Sequence, residues 1–555
     1  MPARPLVLPP VRLLSPDELA RHALAAPLLH RALRLVRWAG EERPVDGFGD
    51  LPEDELAAAA AELGLDGEEG LDETAYAWAV AAETALLALE IPEEAREASP
   101  AGVPVGRAVP GEAYRRLDGA ALAVAEPADG GAVDPHEVLD LWLETAESAL
   151  ADATLPGGPL AAGEDDALSG VSEGVAEAED ELYDDDAALD EAEENGELLD
   201  AAMVNLYAFT ALGGGSWGAD GGTEQGAASE EDAAPEEVPD GGGAPVPLPV
   251  LAASLVAPED AGQPSEEMLD EVTEVIFRLD GLFHLLASTG LLEYQPLDEA
   301  LIEEVDGEGD EQAPGWDAAA ASAAGADDLT ADELARYGTV RLTPLGLYGL
   351  RERMLEAGAH VPVLGDLADA PAADLLDALP GYPAPALRAE AGGWVEGREP
   401  VAAARELLAA SVGADPEGPG RRLACRTVLD LLGPAAEPAV REVLDEPELA
   451  GLAWTWLRRF GAADLPAPSP EAARWLAVDV LAACLHADED PEDLAEVVVE
   501  TVAADDGFAE DAWRVGHPAT AVVLEAVGRL HPDRGVAKQA RKAAFKARSR
   551  QSAAG

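Results

Sequence analysis

The sequence predicts a mainly α, multidomain protein, and three observations carry that expectation. Alanine and leucine recur at helical spacing, as in LPEDELAAAAAELGL (51–65) and TAYAWAVAAETALLALE (74–90), while aromatic residues are only 5% of a chain that is 48% hydrophobic. That mixture favours helix over sheet. The 555 residues exceed the length over which one hydrophobic core keeps growing, so about two to four domains are expected. Finally, acidic and Gly/Pro-rich stretches interrupt the apolar periodicity, and such segments hold too little apolar surface to offset the entropy of ordering.

Taken in order, residues 15–155 form a helical region. It opens on Ser15-Pro16-Asp17-Glu18, an N-cap with proline at the first helical position, and an apolar-periodic stretch runs on through Ala39. Residues 156–194 are expected as an acidic disordered linker, 195–212 as a helix, and 213–247 as a second, Gly/Pro/acid-rich linker. A second folded region spans 248–392. In it a helix over 265–288 leads to a turn at Gly290, a short apolar piece Leu291–Tyr294, and later Val340-Arg341-Leu342 as a strand, Thr343 as N-cap and Pro344 as the first helical residue. Helix, turn, strand, then strand into helix resembles a winged helix-turn-helix, except that an acidic insertion, 295–339, stands where a tight hairpin is usual. Residues 15–155 carry a weaker echo of this winged-helix-like order without a clear wing.

Residues 393–550 read as successive short helices ending in a basic C-terminal helix. Gly433 to Arg441, followed by Leu452, Ala453, Trp454, Trp456 and Leu457, has the helix, turn, helix form of an irregular HEAT-like α-solenoid, and His517 through Gly528 and His531 through Phe545 resemble a later pair. Four segments, LVRWAG with Arg43-Pro44, VRLTPLGLYGLRERMLEAGAHVPVLGDL, GPAAEPAVREVL and HPDRGVAKQARKAAFKARSR, together resemble a group of large acidic actinobacterial proteins of unassigned function. That resemblance implies the architecture and no activity.

Net charge is −76, which opposes general affinity for nucleic acid and for anionic membranes. Between Arg116 and Arg336 the only basic residue is Arg278, and Glu164 to Asp200 holds 17 acids with no Lys or Arg. Residues 529–550 reverse the sign at +7, through Arg529, Arg534, Lys538, Arg541, Lys542, Lys546, Arg548 and Arg550 against Asp533. On a helix from Gly535, Val536, Ala540, Ala544 and Phe545 would face the repeat while Lys538, Arg541, Lys542 and Lys546 face water. Three uses stay open for that face: a solvated cap of the solenoid, a clamp on the acidic linkers, or a contact with nucleic acid or another acidic protein.

Catalytic signatures are weak. The only lysines are Lys538, Lys542 and Lys546, so a phosphate-cradling loop or Schiff-base lysine has no residue to use in 1–537. Gly214-Gly215-Ser216-Trp217-Gly218 matches G-x-S-x-G but sits in a linker without the strand and helix that expose the serine. The carboxylates Asp184-Asp185-Asp186 and Asp306-Gly307-Glu308-Gly309-Asp310 invite a calcium reading, but the second lacks the glycine and the terminal glutamate at calcium-loop spacing, which leaves weak, nonspecific divalent binding at most. None of His22, His30, His136, His284, His360, His486, His517 and His531 stands at metal-ligand spacing, and His517 and His531, each before a proline, read as caps. No metal or cofactor is expected. Cys425 and Cys484 lie in apolar helical surroundings, and no signal peptide or membrane span is legible, so the expected compartment is the cytoplasm. The expected function is a noncatalytic protein–protein interaction or scaffold protein, with Trp454, Trp456, Trp475, Lys538, Arg541, Lys542 and Lys546 as interaction residues. The alternatives are a transcription-related regulator touching nucleic acid through the basic C-terminal helix, and an enzyme of unrecognised type. Oligomeric state is left open.

Overall fold

A computed structural model describes residues 8–93, 102–117, 134–155, 185–212, 243–256, 265–296, 338–466, 468–486, 491–505 and 507–554. These are mainly helical and divide into two compact units, the first within 8–361 and the second within 362–554 together with the short piece 9–11.

In the first unit the apolar stretch after Ser15 is split by Pro27 into α1 (Pro16–Ala25) and α2 (Pro27–Ala39). Ser15 and Glu18 close a reciprocal capping box that satisfies two of the backbone N–H groups at the helix start. Strand β1 (Arg43–Val45), α3 (Glu53–Leu63), α4 (Gly67–Glu83), β2 (Leu87–Glu90), β3 (Gly106–Pro110) and α5 (Glu112–Arg116) follow. The helix expected over 74–90 therefore stops early. Ala85 takes a positive φ of 54°, which breaks the helical path, and Leu87–Glu90 pairs antiparallel with β3 instead.

The chain continues through α6 (Pro135–Thr154), α7 (Asp185–Ala211), β4 (Val246–Pro247), α8 (Leu248–Val256), α9 (Glu266–Leu286), β5 (Leu292–Gln295), β6 (Thr339–Leu342) and α10 (Pro344–Glu356). Two expected linkers thus carry structure at their ends. Helix α7 begins inside 156–194 because its later turns bury Leu199, Met203, Leu206 and Tyr207 and anchor the turns before them. Val246, inside 213–247, pairs with Val340.

The two three-stranded sheets share one topology: order β1-β3-β2 and order β4-β6-β5, all antiparallel, with the third strand central in each. Each carries a directly opposed Arg–Glu pair, Arg107–Glu90 at 2.6 Å and Arg341–Glu293 at 2.5 Å. These exposed pairs fix register more than they stabilise. After β6, Thr343 Oγ1 donates to Gly290 O (2.6 Å) and accepts from Gly346 N–H (2.8 Å). A Cβ at Gly346 would stand 1.7 Å from Leu291 O, and one at Gly111, after β3, 2.0 Å from Ala85 O; only glycine permits these approaches. The buried Trp142 of α6 donates Nε1–H to Thr289 O at 2.9 Å, tying α6 to the turn before β5.

The second unit begins at Pro362, where Val11 pairs with Val363. Its first core is built by α11 (Ala372–Ala378), α12 (Ala384–Val395), α13 (Pro400–Ala410), α14 (Gly418–Leu432), α15 (Glu437–Glu442) and α16 (Ala450–Arg459), around Trp394, Leu407, Cys425, Leu429 and Trp456. Helices α11 and α12 belong to this core, so the unit extends well N-terminal of residue 393. Buried Glu390 of α12 accepts N–H bonds from Gly365 (2.6 Å) and Leu367 (2.8 Å), which fixes the entry loop. Helices α17 (Pro470–His486), α18 (Pro491–Ala503), α19 (Phe508–Asp511), α20 (Thr520–Leu530) and α21 (Arg534–Ala554) form a second core around Val478, Phe508, Leu524, Val527, Ala540 and Ala544.

Two outcomes follow. Gly346→Ala is expected to destabilise the fold by about 3 kcal/mol, the upper end of overpacking effects, as measured by urea unfolding followed by circular dichroism. Burial pushes the Cys425 thiol up to about 12, so the folded protein should leave Cys425 unmodified by iodoacetamide at pH 8 and expose it only in urea, read by mass spectrometry.

Candidate interaction site

Arg422 sits on the apolar stripe of α14 with Cys425 and Leu429, and Asp479 on that of α17 with Trp475 and Ala482. The two meet in the interior. Arg422 Nε donates to Asp479 Oδ2 at 2.9 Å and Nη2 to Oδ1 at 2.6 Å, while Nη1 donates to the carbonyls of Ser411 (3.2 Å) and Gly413 (2.9 Å). His517, in the turn before α20, completes the cluster. Its Nδ1 accepts Ala519 N–H at 3.0 Å, so the proton resides on Nε2 and is donated to Asp479 Oδ1, also at 3.0 Å. All three residues are at most 3% exposed. Desolvating an ion pair costs several kcal/mol per ion, and a bidentate pair whose remaining donors and acceptors are filled is the arrangement that offsets it.

Above this cluster opens a cleft of about 410 Å³ lined by Trp475, Trp513, His517, Thr520, Glu448 and Arg550. The Trp475 ring meets the His517 ring edge-on at 4.6 Å and has the Arg422 guanidinium 4.9 Å from its centroid. Trp513 is half-buried, with Arg514 at 4.9 Å and Lys546 at 5.0 Å over its ring; such cation–π contacts keep a cationic rim beside an aromatic wall. The cleft is therefore aromatic within, cationic on the α21 side and acidic at Glu448.

The sequence-predicted residues fall into three places. Trp456 is buried in the first core against Phe460, ring centroids 4.4 Å apart. Trp454 is partly covered, its Nε1–H donated to Pro466 O at 2.7 Å and its ring under Arg458. Trp475 lines the cleft from beneath. Lys538, Arg541, Lys542 and Lys546 all lie exposed on α21, whose buried face is Ala537, Ala540, Ala543, Ala544 and Ala547. Phe545, expected against the repeat, instead points to solvent at 68% exposure, because the alanine stripe packs too closely on α20 to admit a ring.

Sequence reasoning missed Arg422, Asp479 and Trp513, and counted Arg550 only within the basic C-terminal run. A charged residue standing on an otherwise apolar stripe was the available signal for the first two; nothing singled out Trp513. His517 does cap the turn before α20, as read from its place before proline, and Asp479 is its second partner. The G-x-S-x-G match at 214–218, Asp184 and the cluster at 306–310 lie outside the described residues. Among the described residues no group of three or more His, Cys, Asp and Glu side chains is placed to hold a metal ion, and no helix is long and apolar enough to cross a membrane. Comparison with known proteins finds no matching family model, curated protein or solved structure.

Asp479→Ala would strand the Arg422 guanidinium in the interior, and about 3–5 kcal/mol of stability should be lost. The double replacement Arg422→Met with Asp479→Leu should recover most of that. Urea unfolding followed by tryptophan fluorescence, which Trp475 reports directly, checks both.

Proposed function

We propose that this chain is a noncatalytic interaction or scaffold protein of the cytoplasm, and that the Trp475–Trp513–His517 cleft of the HEAT-like second unit receives a protein partner. The observation that carries this reading is the state of the Asp479–His517 pair, the one buried Asp–His contact among the described residues. Both Asp479 oxygens are held by Arg422, and both His517 nitrogens are engaged, one by Asp479 and one by the Ala519 N–H. A general base needs a free lone pair within reach of substrate, and here each polar atom is committed to packing three elements together. What faces solvent above them is an aromatic surface with charged edges, the composition favoured at the centre of protein interfaces. The high net negative charge supplies solubility.

The test is a cleft plug. Gly516 lines the cleft, and a Cβ there meets nothing within 4 Å, so Gly516→Trp should fill it without disturbing the fold. Tagged full-length protein captured from its native cytoplasm should retain a stoichiometric protein partner, and the Gly516→Trp form should lose it at unchanged melting temperature. Equal retention by both forms would remove the cleft from the reading, and an empty capture would overturn it.

A further inference from the structure

Every lysine of the chain lies on one face of its last helix. Arg534, Lys538, Lys542 and Lys546 form an i, i+4 ladder along α21, with Arg541 and Phe545 between its rungs, all exposed. Like charges at this spacing repel, and cations in the first turn oppose the helix dipole. With 111 acidic residues available, many arginines of the second unit find carboxylates, among them Arg405 with Glu442 at 2.6 Å, Arg421 with Asp377 at 3.1 Å and Arg474 with Asp505 at 2.5 Å. Among the described residues Arg534, Lys538, Arg541 and Lys542 have no carboxylate within ion-pair distance, whereas Arg548 at the edge of the face pairs with Glu525.

We propose that this face of α21 docks an acidic protein segment carrying an apolar side chain, with carboxylates on the lysine–arginine ladder and the apolar group against Phe545. The inference rests on the interaction reading above and names the chemistry of the partner. Charge complementarity selects an acidic ligand. Phe545, 68% exposed in the midst of cations, selects one with an apolar group, and the Lys546–Trp513 contact makes the ladder continuous with the aromatic cleft. A nucleic-acid duplex fits less well. Covering the roughly 22 Å of helix from Arg534 to Ser549 would bring about thirteen phosphates toward a chain of net charge −76, with repulsion screened only beyond about 8 Å at physiological salt. A short acidic segment brings only the charges that the ladder neutralises.

The experiment titrates the full-length protein, at physiological salt, with three fluorescent probes: a synthetic peptide of alternating acidic and leucine residues, a polyglutamate peptide of equal charge, and a single-stranded oligonucleotide of equal charge. The acidic-leucine peptide should bind tightest. Its affinity should fall about tenfold or more, at least 1.4 kcal/mol, in the Lys538→Gln/Lys542→Gln/Lys546→Gln form, and severalfold in Phe545→Ala. All four residues are exposed, so both variants should keep the parent melting curve. Equal binding by parent and triple variant, polyglutamate binding as well as the leucine peptide, or tighter binding of the oligonucleotide would each overturn the proposal. A partner captured through the cleft and retained by the triple variant would show that only this inference, and not the interaction reading, had failed.

Discussion

The bidentate pair between Arg422 and Asp479 is the interaction on which the second unit turns. It joins α14, in the core centred on Trp394 and Trp456, to α17, which carries the core centred on Phe508 and Leu524. Through Asp479 it also fixes His517, and through His517 the turn that forms one wall of the cleft. Hydrophobic contacts alone would let two helical layers slide by small amounts with little change in buried area. A planar guanidinium forked onto a carboxylate in the interior tolerates no such slide, since any displacement leaves a desolvated charge unmatched. The pair therefore contributes less to net stability than to the uniqueness of the arrangement, and the aromatic cleft inherits its shape from it.

Two charge regimes coexist in the second unit. Several arginines are neutralised locally: Arg421 and Arg474 lie largely covered beside their carboxylates, and Arg405 bridges α13 to α15 at the surface. The lysine ladder on α21 has the opposite character: flexible stems, exposed heads and alanines beneath. Alanine at the buried positions lets α21 lie close on α20, which leaves the larger side chains only the outer face. The same close packing that stabilises the helical pair is what presents Phe545 and the cations to solvent.

The first unit is organised by repetition of a topology instead of by a buried ion pair. In both sheets the strand before the final helix is central, flanked by the strand that precedes it and by one from much earlier in the chain. The turns into α5 and α10 approach a neighbouring carbonyl so closely that only glycine fits. Such short strands gain little from intrinsic preference, and tertiary contacts such as Trp142 on Thr289 hold them in place.

How much of this was legible in the sequence depends on the range of the physics involved. Local signals were read well: the Ser15 N-cap with Pro16 after it, Thr343 capping α10 with Pro344 after it, Gly290 ending the helical run before β5, and the exposed cations of α21 follow from interactions within a few residues. The extra strand at Leu87–Glu90, the pairing of Val246 with Val340 and the outward Phe545 were not legible. Each is decided by a partner far along the chain that overrides a local helical or linker preference. The sequence by itself determined a helical, strongly acidic chain whose lysines gather at one end, because propensity, periodicity and charge are properties of neighbouring residues. Only the tertiary structure decided that Arg422, Asp479 and His517, up to 95 positions apart in numbering, would close on one another beneath a cleft, because burying charge is favourable only where the complementary groups arrive together.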